Sequence, residues 1–280
     1  MGNEAVRLGE VLRRHDLRLK KGLGQNFLAD PVHLDRIVAA AELTSDDVVL
    51  EIGPGVGTLT VRLAQRAGRV VAVELDAALL PVLAEMLAGQ SNVSVVQGDI
   101  LQFDPAVLVG EQSYKVVANL PYYITSAAIR HLLTATRPPE LVVLTIQREV
   151  AQRIVAHPPD MSLLAVSVQY YARPELVARI PAGAFYPPPK VDSAIIRLRR
   201  WETPPVEVSS DDQFFAVVKA GFGQRRKQLR NSLGSGLSIG GDAADHLLAA
   251  AGVDPTRRAE TLTLDEWAAI TRARQTTIGS

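Results

Sequence analysis

Short apolar runs alternate with amphipathic stretches over the first two-thirds of the chain. Runs rich in β-branched residues predict strands at Val48–Ile52, Val70–Glu74, Val93–Gln97, Lys115–Ala118 and Leu141–Ile146. Between these runs, apolar residues recur at helical spacing and predict helices, of which the clearest are Thr58–Arg66, Ala77–Leu87 and Ser126–Leu133. This alternation is typical of a mostly parallel sheet with helices on both faces, so the pattern predicts an α/β fold.

The pattern changes twice further along the chain. Leu164–Tyr171 and Ser193–Leu198, joined by a Pro-rich connection, are interpreted as an antiparallel pair at the end of the sheet. After Pro204-Pro205 the pattern predicts helices only, at Asp211–Ala220, Arg225–Leu233, Ala243–Ala251 and Leu264–Ala273, with Gly234–Gly241 as a flexible break. We therefore expect a domain of residues 1–203 and a small all-α domain of residues 204–280.

Composition narrows the class of protein. The chain has 280 residues, is 47% hydrophobic and contains no cysteine, which excludes disulfides and thiol chemistry. Charges interrupt every apolar run and the first residues lack a basic-then-apolar secretory pattern, so we expect a cytoplasmic protein without membrane spans. The five histidines show no metal-ligand spacing, and we expect no metal.

A glycine-rich segment, Glu51-Ile52-Gly53-Pro54-Gly55-Val56-Gly57, follows a predicted strand and precedes a predicted helix. Glycines there allow a ligand to approach the backbone, and a helix N-terminus favours an anionic group. The dinucleotide fingerprint requires glycine at its sixth position, where this chain has Thr58, which argues against NAD and a nucleotide-dependent oxidoreductase. A tight strand–helix junction without a ligand is the structural alternative.

Two carboxylates follow the next two predicted strands. Glu74 is placed to accept both hydroxyls of a ribose, and Asp99 to accept from an adenine amine while Ile100 packs on the ring. Each carboxylate alone is equally consistent with a helix cap or a surface charge. Three ligand groups at three successive strand ends fit S-adenosylmethionine, a nucleoside with a carboxylate tail, better than a pyrophosphate cofactor.

The segment Asn119-Leu120-Pro121-Tyr122 follows the fourth predicted strand. The Asn119 side-chain oxygen and the Leu120 carbonyl can accept protons from an adenine amine, while Tyr122 stacks on a base swung out of its neighbours. Held in line with a sulfonium methyl group, that amine can attack without a strong general base. The segment thus predicts methyl transfer to adenine; the alternative is a β-turn with Pro121 at its second position and a buried tyrosine.

Two further segments are less specific. In the loop Phe185–Ser193, Phe185 can supply a second stacking face and Lys190 a phosphate contact, or the loop is a stiff connector with one core aromatic. Gln25-Asn26-Phe27-Leu28 precedes a helix start at Asp30-Pro31 and can close over a cofactor.

The charge balance gives no clear sign of a nucleic-acid partner, since 30 basic and 30 acidic residues cancel. Basic residues nevertheless cluster in two places: Arg13, Arg14, Arg18, Lys20 and Lys21, and Arg225, Arg226, Lys227 and Arg230. These clusters are either solvated helix faces or phosphate contacts.

These motifs together resemble, over nearly the whole chain, the small-subunit ribosomal RNA adenine dimethyltransferases, which are grouped with the erythromycin-resistance methylases. The matching segments are Gly24-Gln25-Asn26-Phe27-Leu28, Glu51-Ile52-Gly53-Pro54-Gly55, Val73-Glu74-Leu75-Asp76, Gly98-Asp99, Asn119-Leu120-Pro121-Tyr122 and the Phe185–Ser193 loop. The resemblance implies a Rossmann-like methyltransferase domain, with a mostly parallel seven-stranded sheet and an antiparallel end, followed by a C-terminal helical domain that docks on RNA.

The resemblance also implies an activity. Four methyl groups from S-adenosylmethionine would go to two adjacent adenosines in the 3′-terminal hairpin of 16S rRNA, within a pre-30S particle. It assigns cofactor contacts to Asn26, Leu28, Gly53, Glu74, Asp99 and Asn119, and the glycine segment and its neighbours add Gly55 and Ile100.

The sequence leaves open the RNA substrate, the presence of catalytic activity, the RNA contacts and the oligomeric state. Gly24 and Leu120 resemble the housekeeping enzymes more than the resistance methylases, which more often have Ser-Gln-Asn-Phe and Asn-Ile-Pro-Tyr. A resistance-type 23S rRNA methylase, and a non-catalytic assembly or transcription factor on the same scaffold, are the alternatives. With an RNA substrate, Arg225, Arg226, Lys227, Arg230 and Lys190 become candidate RNA contacts, and we expect a monomer by default.

Overall fold

The chain divides into two compact units. The computed structural model describes residues 10–11, 14–15, 17 and 20–278. One unit comprises the described residues up to Ala151 together with Pro174–Arg200, and the other comprises Gln152–Arg173 and the residues from Trp201 onward. The break near residue 201 lies close to the predicted one, but residues 152–173 group with the C-terminal helices, because Met161 and Tyr170 pack in the same core as Phe214.

The first unit is built on a seven-stranded sheet. The strands in chain order are β1 (Phe27–Leu28), β2 (Val48–Ile52), β3 (Arg69–Glu74), β4 (Val93–Gln97), β5 (Tyr114–Asn119), β6 (Leu141–Gln147), β7 (Ala172–Ile180), β8 (Phe185–Tyr186) and β9 (Ser193–Arg200). The sheet has the order β4-β3-β2-β5-β6-β9-β7, and β1 and β8 form a separate antiparallel pair. Strands β2 to β6 are parallel, whereas β9 is antiparallel to β6.

This topology confirms the predicted fold class and creates a ligand crevice. The chain moves outward from β2 through β3 to β4, then returns to place β5 on the other side of β2. In open α/β sheets such a reversal opens a crevice at the carboxyl ends of the two central strands. The glycine-rich segment follows β2 and Asn119 ends β5, so both predicted motifs lie at this crevice.

Helices cover the parallel strands β2, β3, β5 and β6, which are largely buried and therefore almost continuously apolar, whereas the edge strand β4 has no buried residue. The helices are α1 (Pro31–Ala40), α2 (Thr58–Ala64), α3 (Leu80–Met86), α4 (Pro105–Val109), α5 (Thr125–Leu133) and α6 (Arg148–Ile154), whose last residues belong to the second unit. Asp30 caps α1 as predicted, its side chain accepting from the Val32 N–H at 2.9 Å.

The predicted strand at Leu164–Tyr171 is wrong. This segment is helix α7 (Leu163–Tyr171), and the Ser162 hydroxyl caps it by accepting from the Ala165 N–H at 3.1 Å. A short run of apolar and β-branched residues does not by itself distinguish a strand from a buried helix. The second neighbour of β9 in the sheet is instead β7, whose charged residues and Pro174 conceal it in the sequence and suit a strand at the edge of the sheet.

The second unit contains helices α8 (Asp211–Phe222), α9 (Leu229–Gly236), α10 (Gly240–Ala250) and α11 (Leu264–Ile278). The predicted helix over Arg225–Leu233 begins four residues late, because the first N–H groups of α9, those of Leu229 and Arg230, donate to the carbonyls of Arg257 and Pro255. The predicted break at Gly234–Gly241 lies partly inside α9, which continues to Gly236. Gly236 packs closely against Ala220, because a Cβ on Gly236 would lie 2.7 Å from that residue.

No helix among the described residues is both long and apolar enough to span a membrane.

Candidate active site

A cavity of about 380 Å³ opens at the crevice. Its lining includes eleven of the predicted site residues: Asn26, Gly53, Gly55, Glu74, Asp99, Ile100, Asn119, Leu120, Pro121, Tyr122 and Phe185. Among the predicted catalytic and cofactor-binding residues Leu28 is the exception, since its side chain is buried in the core and does not line the cavity. The strand-end positions inferred from the sequence therefore converge on one cavity.

The two central glycines of the loop after β2 serve different purposes. Both have positive φ, +68° at Gly53 and +61° at Gly55. A Cβ on Gly53 would meet no atom within 4 Å, so its backbone borders open cavity. A Cβ on Gly55 would lie 2.6 Å from the Phe27 ring, which packs directly on the loop. Gly53 thus supplies the cradle for a ligand, whereas Gly55 is required by the packing of β1.

Glu74 is held rigidly at the end of β3. Its Oε2 accepts from the Gly55 N–H at 3.0 Å, and its Oε1 accepts from the Asp76 N–H at 2.8 Å. Burial raises the pKa of Glu74, and these backbone hydrogen bonds oppose the rise. Each carboxylate oxygen can still accept a second proton donor. Both oxygens therefore retain capacity for a further donor, and the pairing with ribose hydroxyls stays a prediction.

A second carboxyl group, Glu51, lies beneath the same loop and was not assigned a role from the sequence. It is only 1% exposed, and burial raises its pKa to about 8, with nearby Glu74 acting in the same direction. Within the described part of the chain, its Oε2 has no hydrogen-bond partner. Burial therefore favours the uncharged form of Glu51, which does not line the cavity. Burial of this kind leaves no signal in the sequence.

Asp99 caps a turn and also borders the cavity. Its Oδ1 accepts from the Leu101 N–H at 3.0 Å and so caps the short 3₁₀ turn Ile100–Gln102. The same side chain borders the cavity, and Ile100 beside it is 4% exposed with its apolar surface against the cavity. The cap fixes one oxygen of Asp99, and the carboxylate keeps further acceptor capacity for a ligand.

The amide of Asn119 has one defined orientation. Its Nδ2 donates to the backbone carbonyl of Asn26 at 3.0 Å, and a carbonyl can only accept, so the NH₂ group must face that side. Among the residues that the structure describes, none donates to Asn119 Oδ1. Leu120 is fixed by its own N–H, which donates to the Thr145 carbonyl at 3.2 Å. The turn after β5 thus presents an oriented acceptor to the cavity.

Two aromatic rings border this turn. The Tyr122 hydroxyl forms a 2.8 Å hydrogen bond with Ser193 Oγ, which fixes the ring, and burial raises the pKa of Tyr122. Phe185 is 5% exposed, pairs with Leu28 across the β1–β8 ribbon and reaches the cavity edge. Phe185 is therefore a core aromatic with one edge available to a ligand. Tyr123, which was not singled out, also lines the cavity and is 59% exposed.

The basic candidates differ in how far their charge is neutralised. Arg225, Arg226 and Lys227 are exposed in the turn before α9, and no carboxylate pairs with them among the described residues. Arg230, by contrast, is held by Asp242 at 3.0 Å and Asp245 at 3.1 Å. Lys190 is exposed on its loop.

The N-terminal basic cluster is partly engaged within the molecule. Arg14 pairs with Glu85 at 3.2 Å, and Lys20 pairs with Asp76 at 2.7 Å. Arg13, Arg18 and the side chain of Lys21 lie outside the described part of the chain. Across the described residues, no group of three or more histidine or acidic side chains is arranged to hold a metal ion.

Comparison with known proteins places this geometry in a family. A family model described as ribosomal RNA adenine dimethylase matches residues 16–275. A protein named ribosomal RNA small subunit methyltransferase A from Dehalococcoides mccartyi (strain CBDB1) is 48% identical over 259 residues, which is 92% of this chain and 89% of that protein. A protein of the same name from Pelotomaculum thermopropionicum is 48% identical over 274 residues, covering 93% of each chain.

Solved structures agree with this assignment. The 23S rRNA methyltransferase ErmE is 32% identical with a TM-score of 0.72, covering 89% of this chain and 99% of its own. A dimethyladenosine transferase from Plasmodium falciparum is 25% identical with a TM-score of 0.73, covering 87% and 95%. The family model spans nearly the whole chain and both units. This chain belongs to the ribosomal RNA adenine dimethylase family.

Proposed function

We propose that this protein is an S-adenosylmethionine-dependent dimethyltransferase of two adjacent adenosines in the 3′-terminal hairpin of 16S rRNA. The observation that carries the proposal is the oriented amide of Asn119, whose Oδ1 accepts from no described residue and lies beside a cavity bordered by Glu74 and the glycine loop. A neutral acceptor fixed next to a nucleoside-sized cavity suits the positioning of an adenine amine.

The residues around the cavity fit S-adenosylmethionine. Glu74 would accept from the ribose hydroxyls, Asp99 from the adenine amine of the cofactor, and Ile100 would pack on its ring. Gly53 leaves the backbone open to the ligand, and Asn26 borders the same space. When bound, the cofactor supplies an electrophilic methyl group.

The target amine is activated by position. An adenine N6 lone pair is delocalised into the ring, so the amine must rotate before it can attack. Asn119 Oδ1 and the Leu120 carbonyl would accept hydrogen bonds from its two N–H groups and draw the lone pair out of the ring plane. Tyr122, fixed through Ser193, would stack on the flipped base, with Phe185 at its edge. Holding reactants in such an arrangement lowers the barrier without a strong general base.

The RNA substrate rests on the relatives. Two proteins 48% identical to this chain are named small-subunit methyltransferases, whereas ErmE, a 23S rRNA methyltransferase, is 32% identical. The small subunit is therefore the primary proposal and a resistance-type 23S activity the second. We further propose a monomeric cytoplasmic enzyme that acts on the pre-30S particle. In this proposal residues 204–280 dock on RNA through Arg225, Arg226, Lys227 and, on the catalytic domain, Lys190.

Transfer of labelled methyl groups to unmethylated small and large ribosomal particles, followed by digestion to nucleosides, tests the proposal. Dimethyladenosine in the small particle alone is the expected result. Label in the large particle alone would favour the 23S activity. Tight particle binding without label in either would favour a non-catalytic assembly factor.

A further inference from the structure

A polar cluster joins the segment before β1 to the end of β3. Lys20 Nζ donates to Asp76 Oδ1 at 2.7 Å, and Gln25 Nε2 donates to Asp76 Oδ2 at 2.8 Å. The Lys20 N–H donates to Gln25 Oε1 at 2.7 Å, which closes the cluster. Asp76 is only 5% exposed, and although burial favours its protonated form, the hydrogen bonds from Lys20 and Gln25 hold its pKa below the usual range. We call these three residues the Asp76 clamp.

The clamp connects with the cofactor end of the cavity. Asp76 donates its own N–H to Glu74 Oε1 at 2.8 Å, so the residue that holds the clamp also fixes the carboxylate assigned to the ribose. Asp76 additionally caps the following turn by accepting from the Ala78 N–H at 3.2 Å. A cap requires one oxygen only. The second oxygen is used solely by Gln25 among the described residues.

The clamp connects equally with the reactive end. Gln25 is followed directly by Asn26, whose carbonyl accepts from Asn119 Nδ2 and so determines which atom of the amide is free. Asn26 is itself stiffened, because its Nδ2 donates to the Gly24 carbonyl at 3.0 Å. Residues 20–26 therefore span the distance between the ribose acceptor and the amine acceptor, fixed to Asp76 at one end and to Asn119 at the other.

We propose that Asp76 is a positioning residue for methyl transfer. Through Gln25 and Lys20 it holds residues 20–26 in place, and that segment keeps the Asn119 oxygen aligned with the cofactor bound at Glu74. This inference rests on the proposed function and adds a role for three residues outside the reacting groups. A displacement of about 1 Å at a reacting group can cost on the order of 100-fold in rate, so loosening the segment should be visible in turnover.

Asp76→Asn is the most direct test, because it is isosteric and asparagine remains a good cap. In this variant the new NH₂ group faces Gln25 Nε2, donor against donor, and the ion pair with Lys20 is lost. We expect kcat for methylation of the small particle to fall by about 10- to 100-fold, while KM for the particle changes less than threefold. An unchanged kcat would overturn the proposal.

A compensating variant separates positioning from general damage. Combining Asp76→Asn with Gln25→Glu restores a donor–acceptor pair and returns a carboxylate to Lys20, so kcat should recover at least in part. A double variant no better than Asp76→Asn alone would contradict the clamp. Asp104→Asn is the matched control, since Asp104 caps α4 in the same way, accepting from the Ala106 N–H at 2.9 Å, and has no link to residues 20–26.

Hydrogen exchange provides a readout that requires no RNA. In Asp76→Asn, amides of residues 22–26 should exchange at least tenfold faster than in the wild type, both alone and with S-adenosylhomocysteine, while the Asp104→Asn protein behaves like the wild type. Equal exchange in all three proteins would overturn the clamp even if methylation of 16S rRNA is established. Faster exchange without any rRNA methylation by the wild type would instead retain the clamp and refute the proposed function.

Discussion

The two ends of the cavity differ in how they use charge. At the cofactor end, the buried carboxyl groups of Glu51 and Glu74 lie close together under a loop of backbone N–H groups. At the reactive end, the residues that line the cavity are uncharged and include Asn119, Leu120 and the aromatic Tyr122 and Phe185. The first end is thus built from ionisable groups that the fold desolvates, and the second from dipoles that the fold orients.

The contrast indicates a division of labour. Desolvated carboxyl groups bind selectively but respond to pH, whereas oriented dipoles keep the same properties over a wide pH range. A reaction that depends on positioning gains from placing titrating groups away from the transferred methyl group. Both arrangements depend on burial and on backbone hydrogen bonds, so each can be perturbed by a substitution that preserves size.

The largest expected effect concerns the buried acid at the cofactor end. Because the pKa of Glu51 is about 8 in the folded protein and near 4.5 when unfolded, the folded state retains a proton that the unfolded state releases. Its contribution to stability is complete below about pH 4.5 and is lost as pH rises through 8, on the order of 5 kcal/mol in total. Glu51→Gln should therefore flatten the fall in unfolding free energy between pH 5 and 8, measured with urea.

That measurement also tests the contrast itself. The same titration on Asn119→Asp, which places an acid at the half-buried reactive end, should show a smaller dependence on pH in this window. If Glu51→Gln keeps the wild-type slope, another group titrates there and Glu51 is not the buried neutral acid.

The next effect concerns the reactive end. Asn119→Ala removes the oriented acceptor, and we expect methyl transfer to fall by about 10²- to 10³-fold, as for loss of one preorganised partner in other active sites. Affinity for S-adenosylhomocysteine, measured by calorimetry, should fall far less than methyl transfer, because Glu74 and Asp99 remain although Asn119 is itself a predicted cofactor contact. Full activity of this variant would show that the amide does not hold the amine.

Glu74→Gln should lower cofactor affinity more than turnover, the reverse of the result expected for Asn119→Ala. The substituted amide keeps one acceptor oxygen but must turn an NH₂ group toward either the Gly55 or the Asp76 N–H. We expect cofactor affinity to weaken by about 10- to 100-fold, since hydrogen bonds to charged groups contribute roughly 1.5–3 kcal/mol each. Turnover at saturating cofactor should stay within a fewfold of the wild type. A normal dissociation constant would remove Glu74 from the ribose site.

The smallest expected effect tests the second unit. Substituting Arg225, Arg226 and Lys227 with glutamate should weaken particle binding. The slope of the logarithm of the binding constant against the logarithm of salt concentration should become shallower by about two to three. Cofactor affinity should be unchanged. Arg66→Glu, on the exposed side of the first unit, is the control. Unchanged binding of the triple variant would return the cluster to a solvated surface.

The sequence predicts the parallel core well because that core imposes a simple pattern. Strands β2, β3, β5 and β6 are largely buried and appear as apolar runs, and predicted site residues follow or end β2, β3 and β5. The interpretation failed where the same composition serves another structure: the apolar run at Leu164–Tyr171 is a helix capped by Ser162, and charged β7 resembles a loop.

The features of the site that the sequence does not reveal are those created by tertiary packing. Gly55 resembles a ligand-binding glycine, yet the Phe27 ring is what requires it. Glu51 is an ordinary acid in the glycine-rich segment, and only its burial in the folded protein raises its pKa. Asp76 and Gln25 are separated by 51 residues, so no local pattern joins them. The orientation of Asn119 likewise depends on a carbonyl 93 residues away.

The fixed amide at the end of β5 also implies that the reaction limits itself. In the proposed mechanism Asn119 Oδ1 and the Leu120 carbonyl form two acceptors for the two protons of an adenine amine. After one methylation a single N–H remains to be held, and after the second there is none. The N6,N6-dimethylated adenine has no N–H to donate to either acceptor, which favours its release. Guanine and hypoxanthine have a carbonyl oxygen at the same ring position. That oxygen would lie against the two acceptor oxygens of Asn119 and Leu120, and the repulsion between them would exclude these bases.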